Sequence, residues 1–183
     1  MIILPAQQAV FVGVPRAASK AVSQWLERSL RPQGGALHPA EAMHCYHASI
    51  PEAVAAYGLP LHAYWSFAVV RNPFDRLVSH CAMFDTDFVN NPQHSLYKAL
   101  NAPPTRWTMP QHDLLDGVGS VFRFEQLDAA VVTIGERLGI DPGTFLQEHQ
   151  SEHGPYRDYY TPALRELVEL RYAADLLVYN YGF

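Results

Sequence analysis

Two segments of the chain place cations directly after an apolar run. Arg16 and Lys20 belong to a loop of proline and small residues that follows the β-branched run 10–14. Arg71 directly follows the apolar run 65–70. The planar fork of an arginine matches two oxygens of a phosphate group, whereas a lysine supplies a compact charge. These residue types therefore predict a site that holds an anionic ligand at two points.

The two loops connect elements of alternating type. Largely apolar runs predict buried strands at residues 9–14, 65–70 and 120–124, followed by segments of helical periodicity at residues 19–30, 74–84 and 126–138. This alternation predicts an α/β fold of three layers, αβα, in which helices cover both faces of a central parallel sheet. Ligands of such sheets bind beyond the carboxyl ends of the strands, where both loops would lie.

Helix-start residues predict two further helices. Ser49 and Glu52 have the spacing of a capping box, so a helix is predicted from there to about residue 58. Thr161, followed by Pro162, has the residue types of an N-cap and a first helical turn. A last helix is therefore predicted after Thr161.

The bulk properties are those of an ordinary globular domain. The 183 residues, 49% hydrophobic and 17% charged, predict a single domain over residues 1–183. A polar, turn-rich stretch within it predicts a lid or substrate-side insertion over residues 85–112. The net charge of −5 argues against nucleic acid or an anionic membrane as a partner, so an anion site has to be local.

The cysteines and the first residues bear on location. Cys45 and Cys81 are too few for a metal cluster or a disulfide framework, and we expect buried free thiols in a reducing, cytoplasmic location. Residues 1–4 are apolar, but Pro5 interrupts them and the run is far too short to cross a membrane. The sequence therefore predicts no membrane span.

The motifs in the two loops resemble those of one enzyme family. Residues 14–21 resemble the 5′-phosphosulfate loop of sulfotransferases, and residues 69–79 are a near-complete match to the family's 3′-phosphate motif. Residues 122–127 resemble its Arg-Tyr/Phe-Glu-x-Leu element, and residues 156–162 resemble the C-terminal segment of carbohydrate-type bacterial members. The resemblance extends over residues 9–183.

This resemblance implies a binding site for the sulfuryl donor 3′-phosphoadenosine-5′-phosphosulfate (PAPS), and sulfuryl transfer from PAPS requires no metal. By their match to the family's motif, Arg71 and Ser79 would hold the 3′-phosphate. One ends a strand and the other lies two turns into the next helix, so both can converge on one phosphate. The remaining donor-binding residues implied are those of the first loop and an arginine of the third strand: Pro15, Arg16, Ala17, Ala18, Ser19, Lys20, Ala21 and Arg123.

The first loop departs from the family pattern at three positions. Arg16 stands where the family has a lysine that bridges the 5′-phosphate and the transferring group, and Arg16 and Lys20 are the catalytic candidates of the loop. Lys20 and Ala21 stand where the family usually has hydroxyl residues. Two hypotheses follow: either Lys20 takes over the role of the missing lysine, or the donor site is weakened or lost.

Transfer to a hydroxyl group also needs a base that takes the proton, which a histidine can do near pH 7. The resemblance of residues 46–52 to carbohydrate sulfotransferases favours His47 as this base, with His44 next. Gln111 and His112 lie in a segment that resembles the acceptor-side Pro-Gln element of the family. The acceptor is predicted, by analogy alone, to be a hydroxyl of a small molecule or an oligosaccharide.

Two other functions remain open. Residues 13–20 are similar to the Walker loop of kinases and NTPases, but Ala18 replaces the second glycine and the lysine comes one position late. Alternatively, the chain has the sulfotransferase fold and binds a nucleotide or a partner without turnover. The departures at Arg16, Lys20 and Ala21 favour this second alternative.

Overall fold

The computed structural model of the chain describes residues 1–30, 43–44, 47–58, 60–146 and 152–183. The chain divides into two compact units, each built from two separate segments. The first unit comprises Met1–Val70 and Leu114–His149, and the second comprises Arg71–Asp113 and Gln150–Phe183. None of the helices in these described ranges is both long enough and apolar enough to cross a membrane.

The first unit contains a five-stranded sheet in its described part. Three of its strands are mutually parallel, and two are antiparallel to their neighbours. In chain order the strands are β1 (Ile2–Leu4), β2 (Ala9–Val12), β3 (Met43–His44), β4 (Trp65–Val70) and β5 (Ser120–Arg123), and their spatial order is β3-β1-β2-β4-β5. The predicted α/β class is confirmed, but the sheet is mixed and not wholly parallel.

The antiparallel part of the sheet has a simple cause. Only residues 5–8 connect β1 to β2, and the amide of Gln8 donates to the carbonyl of Pro5 at 3.2 Å to close this turn. A parallel connection needs a crossover of a dozen residues or more, so this link allows only an antiparallel pair. The three predicted strands are β2, β4 and β5, and they are mutually parallel. Strand β2 is two residues shorter than expected.

Eight α-helices lie in the described part of the chain. They are α1 (Ser19–Leu30), α2 (Ile50–Tyr57), α3 (Pro73–Phe84), α4 (Pro92–Asn101), α5 (Gln111–Leu114), α6 (Leu127–Leu138), α7 (Pro162–Arg171) and α8 (Ala173–Val178). The predicted helix starts are confirmed by their caps. Ser49 and Glu52 form the capping box of α2, and Thr161 accepts a hydrogen bond from the amide of Leu164 at 3.3 Å.

The core of the first unit lies between one face of the sheet and the helices α1 and α6. Trp25 of α1 is fully buried there, and its indole N–H donates to Thr144 Oγ1 at 3.0 Å. Alternate strand residues such as Phe11 and Phe67 face this core, and the intervening residues such as Val10 are buried as well. Burial of both sets explains the continuous apolar runs of β2 and β4.

The second unit packs around Phe74 of α3. Rings of Tyr160 and Phe183 meet Phe74 edge-on, with centroids 5.3 and 5.0 Å away. Leu96 of α4 is fully buried in the same core. The stretch predicted as a polar, turn-rich insertion thus contains a packed helix, which sequence analysis missed because α4 offers few apolar positions.

Cys81 of α3 is a buried free thiol, as predicted. Burial raises the pKa of this thiol to about 12. Cys45 lies outside the described residues.

Two adjacent valines of α6 test which face of this helix is buried. Val131→Ala is expected to lower the free energy of unfolding by about 2 kcal/mol, because Val131 lies in the core and loses two buried carbons. Val132 is exposed, so the matched change Val132→Ala should cost less than about 0.5 kcal/mol. Urea unfolding followed by circular dichroism measures both, and equal losses would contradict the assigned face.

Candidate functional site

The loop after β2 contains two non-glycine residues with left-handed backbone. Arg16 has φ of 64° and Ala18 has φ of 56°. The amide of Ala17 between them donates to the carbonyl of Val14 at 3.3 Å, and α1 then begins at Ser19. Each left-handed residue of this kind costs about 1 kcal/mol. Full burial of Val14 and Ala17 holds the loop in this shape.

The start of the loop lies close to the start of α1. A Cβ atom added to Gly13 would be 3.3 Å from the Cβ of Ser19 and 3.7 Å from the ring of Phe11. This is tighter than most contacts between side chains, so the approach favours glycine at position 13. The close approach makes the passage from β2 to α1 compact.

His47 lies against this loop. Its Nδ1 atom is 2.8 Å from the carbonyl oxygen of Gly13. A carbonyl oxygen accepts hydrogen bonds and does not donate them, so Nδ1 carries the hydrogen and donates. In the neutral ring the proton-accepting nitrogen is then Nε2. The structure therefore places the favoured base candidate at the loop and fixes its tautomer.

The two cations of the loop differ in their surroundings. The side chain of Arg16 is half-buried, whereas Lys20 is exposed in the first turn of α1. Ala21, the next residue, is buried. Lys20 is thus the more accessible cation.

Arg123 ends β5 and is paired in register with Val70, the last residue of β4. Because β4 lies between β2 and β5, Arg123 is on the same sheet edge as the loop, about 10 Å away across two strand spacings. His44 of β3 is in register with Ile2, and its side chain lies outside the described part.

Arg71 begins the second unit and is held at three points. Its amide donates to Gln111 Oε1 at 2.9 Å, and its carbonyl accepts from Gln111 Nε2 at 2.9 Å. Its guanidinium Nε donates to Asp75 Oδ2 at 2.8 Å, with the Arg71 side chain 11% exposed. These contacts fix both the backbone and the direction of the guanidinium.

Ser79 is fully buried on α3. Asp75 and Ser79 are four residues apart on α3, so they lie on one side of this helix, and Arg71, which precedes the helix, reaches Asp75 through its guanidinium. Asp75 thus links the Arg71 guanidinium to the helix that carries Ser79.

Arg76 is buried and has a structural role. It donates to the carbonyls of Met109 at 2.9 Å and Trp107 at 3.0 Å. Burial lowers the pKa of the guanidinium, and the nearby Asp175 and Tyr172 oppose that effect. Arg76 thus holds a turn whose Trp107 side chain is 40% exposed.

The structure places the two predicted acceptor residues differently. Gln111 is fully buried, and its amide atoms bind the backbone of Arg71 and the carboxylate of Asp175. The side chain of His112 is exposed, while its backbone amide donates to Asp175 Oδ1 at 2.8 Å. Contact of either residue with an acceptor stays a prediction.

Asp175 is a residue that sequence analysis missed. It is fully buried in α8, a helix of otherwise apolar residues, Ala173–Val178. A single carboxylate in such a segment is the one feature of the sequence that points to it, because charged side chains are rarely buried without partners.

The comparisons with known proteins give no family for this chain, so any assignment of function rests on the residues described above. No protein-family model matches the chain, and no curated protein or solved structure matches it significantly. Within the described ranges there is also no group of three or more histidine, cysteine, aspartate or glutamate side chains placed to hold a metal ion.

Arg76→Met tests the buried guanidinium. We expect the free energy of unfolding to fall by about 3 kcal/mol, because two carbonyls lose their donor and Asp175 loses a nearby opposite charge. The control Arg165→Met removes a half-exposed partner of Glu169 and should cost less than about 1 kcal/mol. An Arg76→Met protein as stable as the wild type in guanidinium unfolding would contradict this role.

Proposed function

We propose that this chain is a sulfotransferase, which moves the sulfuryl group of PAPS onto a hydroxyl group of an acceptor. The observation that carries the proposal is the setting of Arg71. It directly follows the parallel strand β4, and its guanidinium donates to Asp75 of α3, the helix that also carries Ser79. This setting supports the role that the resemblance of residues 69–79 implies for Arg71 and Ser79 at the 3′-phosphate.

The first unit supports the proposal through the loop that the resemblance assigns to the 5′-phosphosulfate. A strand, a loop with left-handed residues and a helix start follow one another at residues 9–19, and such loops turn backbone N–H groups toward bound anions. In the proposal, Arg16 and the loop backbone hold the 5′-phosphosulfate. Arg123, on the same edge of the sheet, adds positive charge for the nucleotide.

The proposed reaction is an in-line displacement at sulfur. The acceptor oxygen forms a bond to sulfur while the bond from sulfur to the 5′-phosphate oxygen breaks, and 3′-phosphoadenosine-5′-phosphate (PAP) leaves. His47 takes the acceptor proton at Nε2, the nitrogen that its bond to Gly13 leaves as the acceptor. The cations of the loop stabilise the negative charge that develops on the leaving oxygen.

In the proposal, Arg16 and Lys20 both stabilise the negative charge that develops on the leaving oxygen. A guanidinium keeps its proton at any physiological pH, so Arg16 stabilises the leaving oxygen by charge and hydrogen bonds. Lys20 lies four residues further along, in the first turn of α1, on a flexible stem long enough to reach over the loop. We assign to Lys20 the role of the family lysine.

Binding of PAP is the first test. PAP at 100 times its dissociation constant is expected to stabilise the protein by about 2.7 kcal/mol, seen as a higher melting temperature. Arg71→Met should abolish most of this shift, and the half-exposed Arg165→Met should keep it. Stabilisation by ATP with Mg²⁺ instead of PAP would favour a kinase, and no shift with any nucleotide would favour an interaction protein.

Lys20→Met tests the catalytic part of the proposal. We expect the rate of sulfuryl transfer from labelled PAPS to fall by about 100-fold or more, while PAP binding changes much less. The chain offers a matched control, because its other lysine, Lys98, is an exposed residue of α4 paired with Asp85 at 2.9 Å. Lys98→Met should transfer at the wild-type rate, and an unchanged rate in Lys20→Met would overturn the assignment.

A further inference from the structure

Gln111 pairs with the backbone of Arg71 in the way that a neighbouring strand would. Its carbonyl oxygen accepts from the Arg71 amide, and its amide nitrogen donates to the Arg71 carbonyl, both at 2.9 Å. Both hydrogen bonds are buried. A glutamine side chain thus satisfies the two backbone groups of the residue that follows β4.

Asp175 holds Gln111 in turn. Its Oδ2 accepts from the backbone amide of Gln111 at 2.9 Å and from Gln111 Nε2 at 3.2 Å, and its Oδ1 accepts from the amide of His112 at 2.8 Å. The carboxylate is fully buried, so its solvation is supplied by these N–H donors. Gln111 Nε2 therefore lies between Asp175 and the carbonyl of Arg71.

The chemistry of this arrangement requires an amide at position 111. A glutamate would lose the donor to the Arg71 carbonyl and would place a second negative charge against Asp175. An asparagine is one carbon shorter and would not span the same distance. A methionine fills similar space and makes neither hydrogen bond.

We propose that Gln111 and Asp175 are positioning residues that set the direction of Arg71 toward the 3′-phosphate. The inference rests on the proposed function, in which Arg71 binds that phosphate. Gln111 fixes the Arg71 backbone, Asp175 fixes Gln111, and Asp75 fixes the guanidinium. The direction of a planar guanidinium matters because its fork binds two oxygens only in one orientation.

Comparing the binding of two nucleotides separates an effect on the direction of Arg71 from an effect on stability. PAP carries the 3′-phosphate and adenosine 5′-monophosphate lacks it, so the ratio of their dissociation constants reports Arg71. In Gln111→Met we expect PAP to bind about tenfold more weakly while the monophosphate binds as before, since a hydrogen bond to a charged group is worth about this much. Titration calorimetry measures both constants.

The control is Tyr172→Phe. This variant removes the bond from the Tyr172 hydroxyl to the carbonyl of Thr108, 2.7 Å long, and so loosens the same stretch of chain without touching Arg71. It should lower the melting temperature and leave the ratio of the two constants unchanged. If the preference for PAP over the monophosphate fell equally in Tyr172→Phe and Gln111→Met, the positioning role would be overturned.

A second readout needs no nucleotide. Amide hydrogen exchange by NMR should show a slowly exchanging Arg71 amide in the wild type and faster exchange in Gln111→Met, or in Asp175→Asn if Gln111→Met fails to fold. Fast exchange already in the wild type overturns the inference. If the Arg71 amide is protected from exchange but the wild type binds no PAP, the proposed function fails while the pairing of Gln111 with the Arg71 backbone stands.

Discussion

The second unit depends on one carboxylate that is held away from water. A buried charge is costly unless donors replace its hydration, and Asp175 receives three N–H donors from Gln111 and His112. These bonds tie α8 to the start of α5 across 64 positions of the sequence. The carboxylate thus joins the last part of the chain to the segment that holds Arg71, which local structure alone would not bring together.

The first unit depends on strand pairing and on backbone shape. The parallel ladder of β2, β4 and β5 places the loop and Arg123 on one edge, and the left-handed Arg16 and Ala18 give the loop its form. His47 then adds a side chain whose tautomer is set by the loop's own carbonyl. Contacts within each unit therefore fix the geometry of that unit's predicted phosphate-binding residues.

Local patterns in the sequence were sufficient for elements that carry their own start and stop residues. The bounds of α1 and β4 and the capping box at Ser49 agree with prediction, because periodicity and caps act over a few residues. The strands β1 and β3 were missed, since three and two residues become strands only through distant partners. Gln111 was identified as a functional candidate, but its partner Arg71 lies 40 positions away, and no local pattern predicts that pairing.

Trp107, in the turn that Arg76 holds, is a natural fluorescent probe of the second unit. Of the three tryptophans, Trp25 is fully buried and Trp65 stacks on Phe67 in the first unit, whereas Trp107 of the second unit is substantially exposed. Acrylamide quenches the fluorescence of exposed indoles first, so Trp107, the most exposed of the three, is the most readily quenched. The emission wavelength and fluorescence lifetime of Trp107 report the environment of the stretch of chain that leads into Gln111, without an added label.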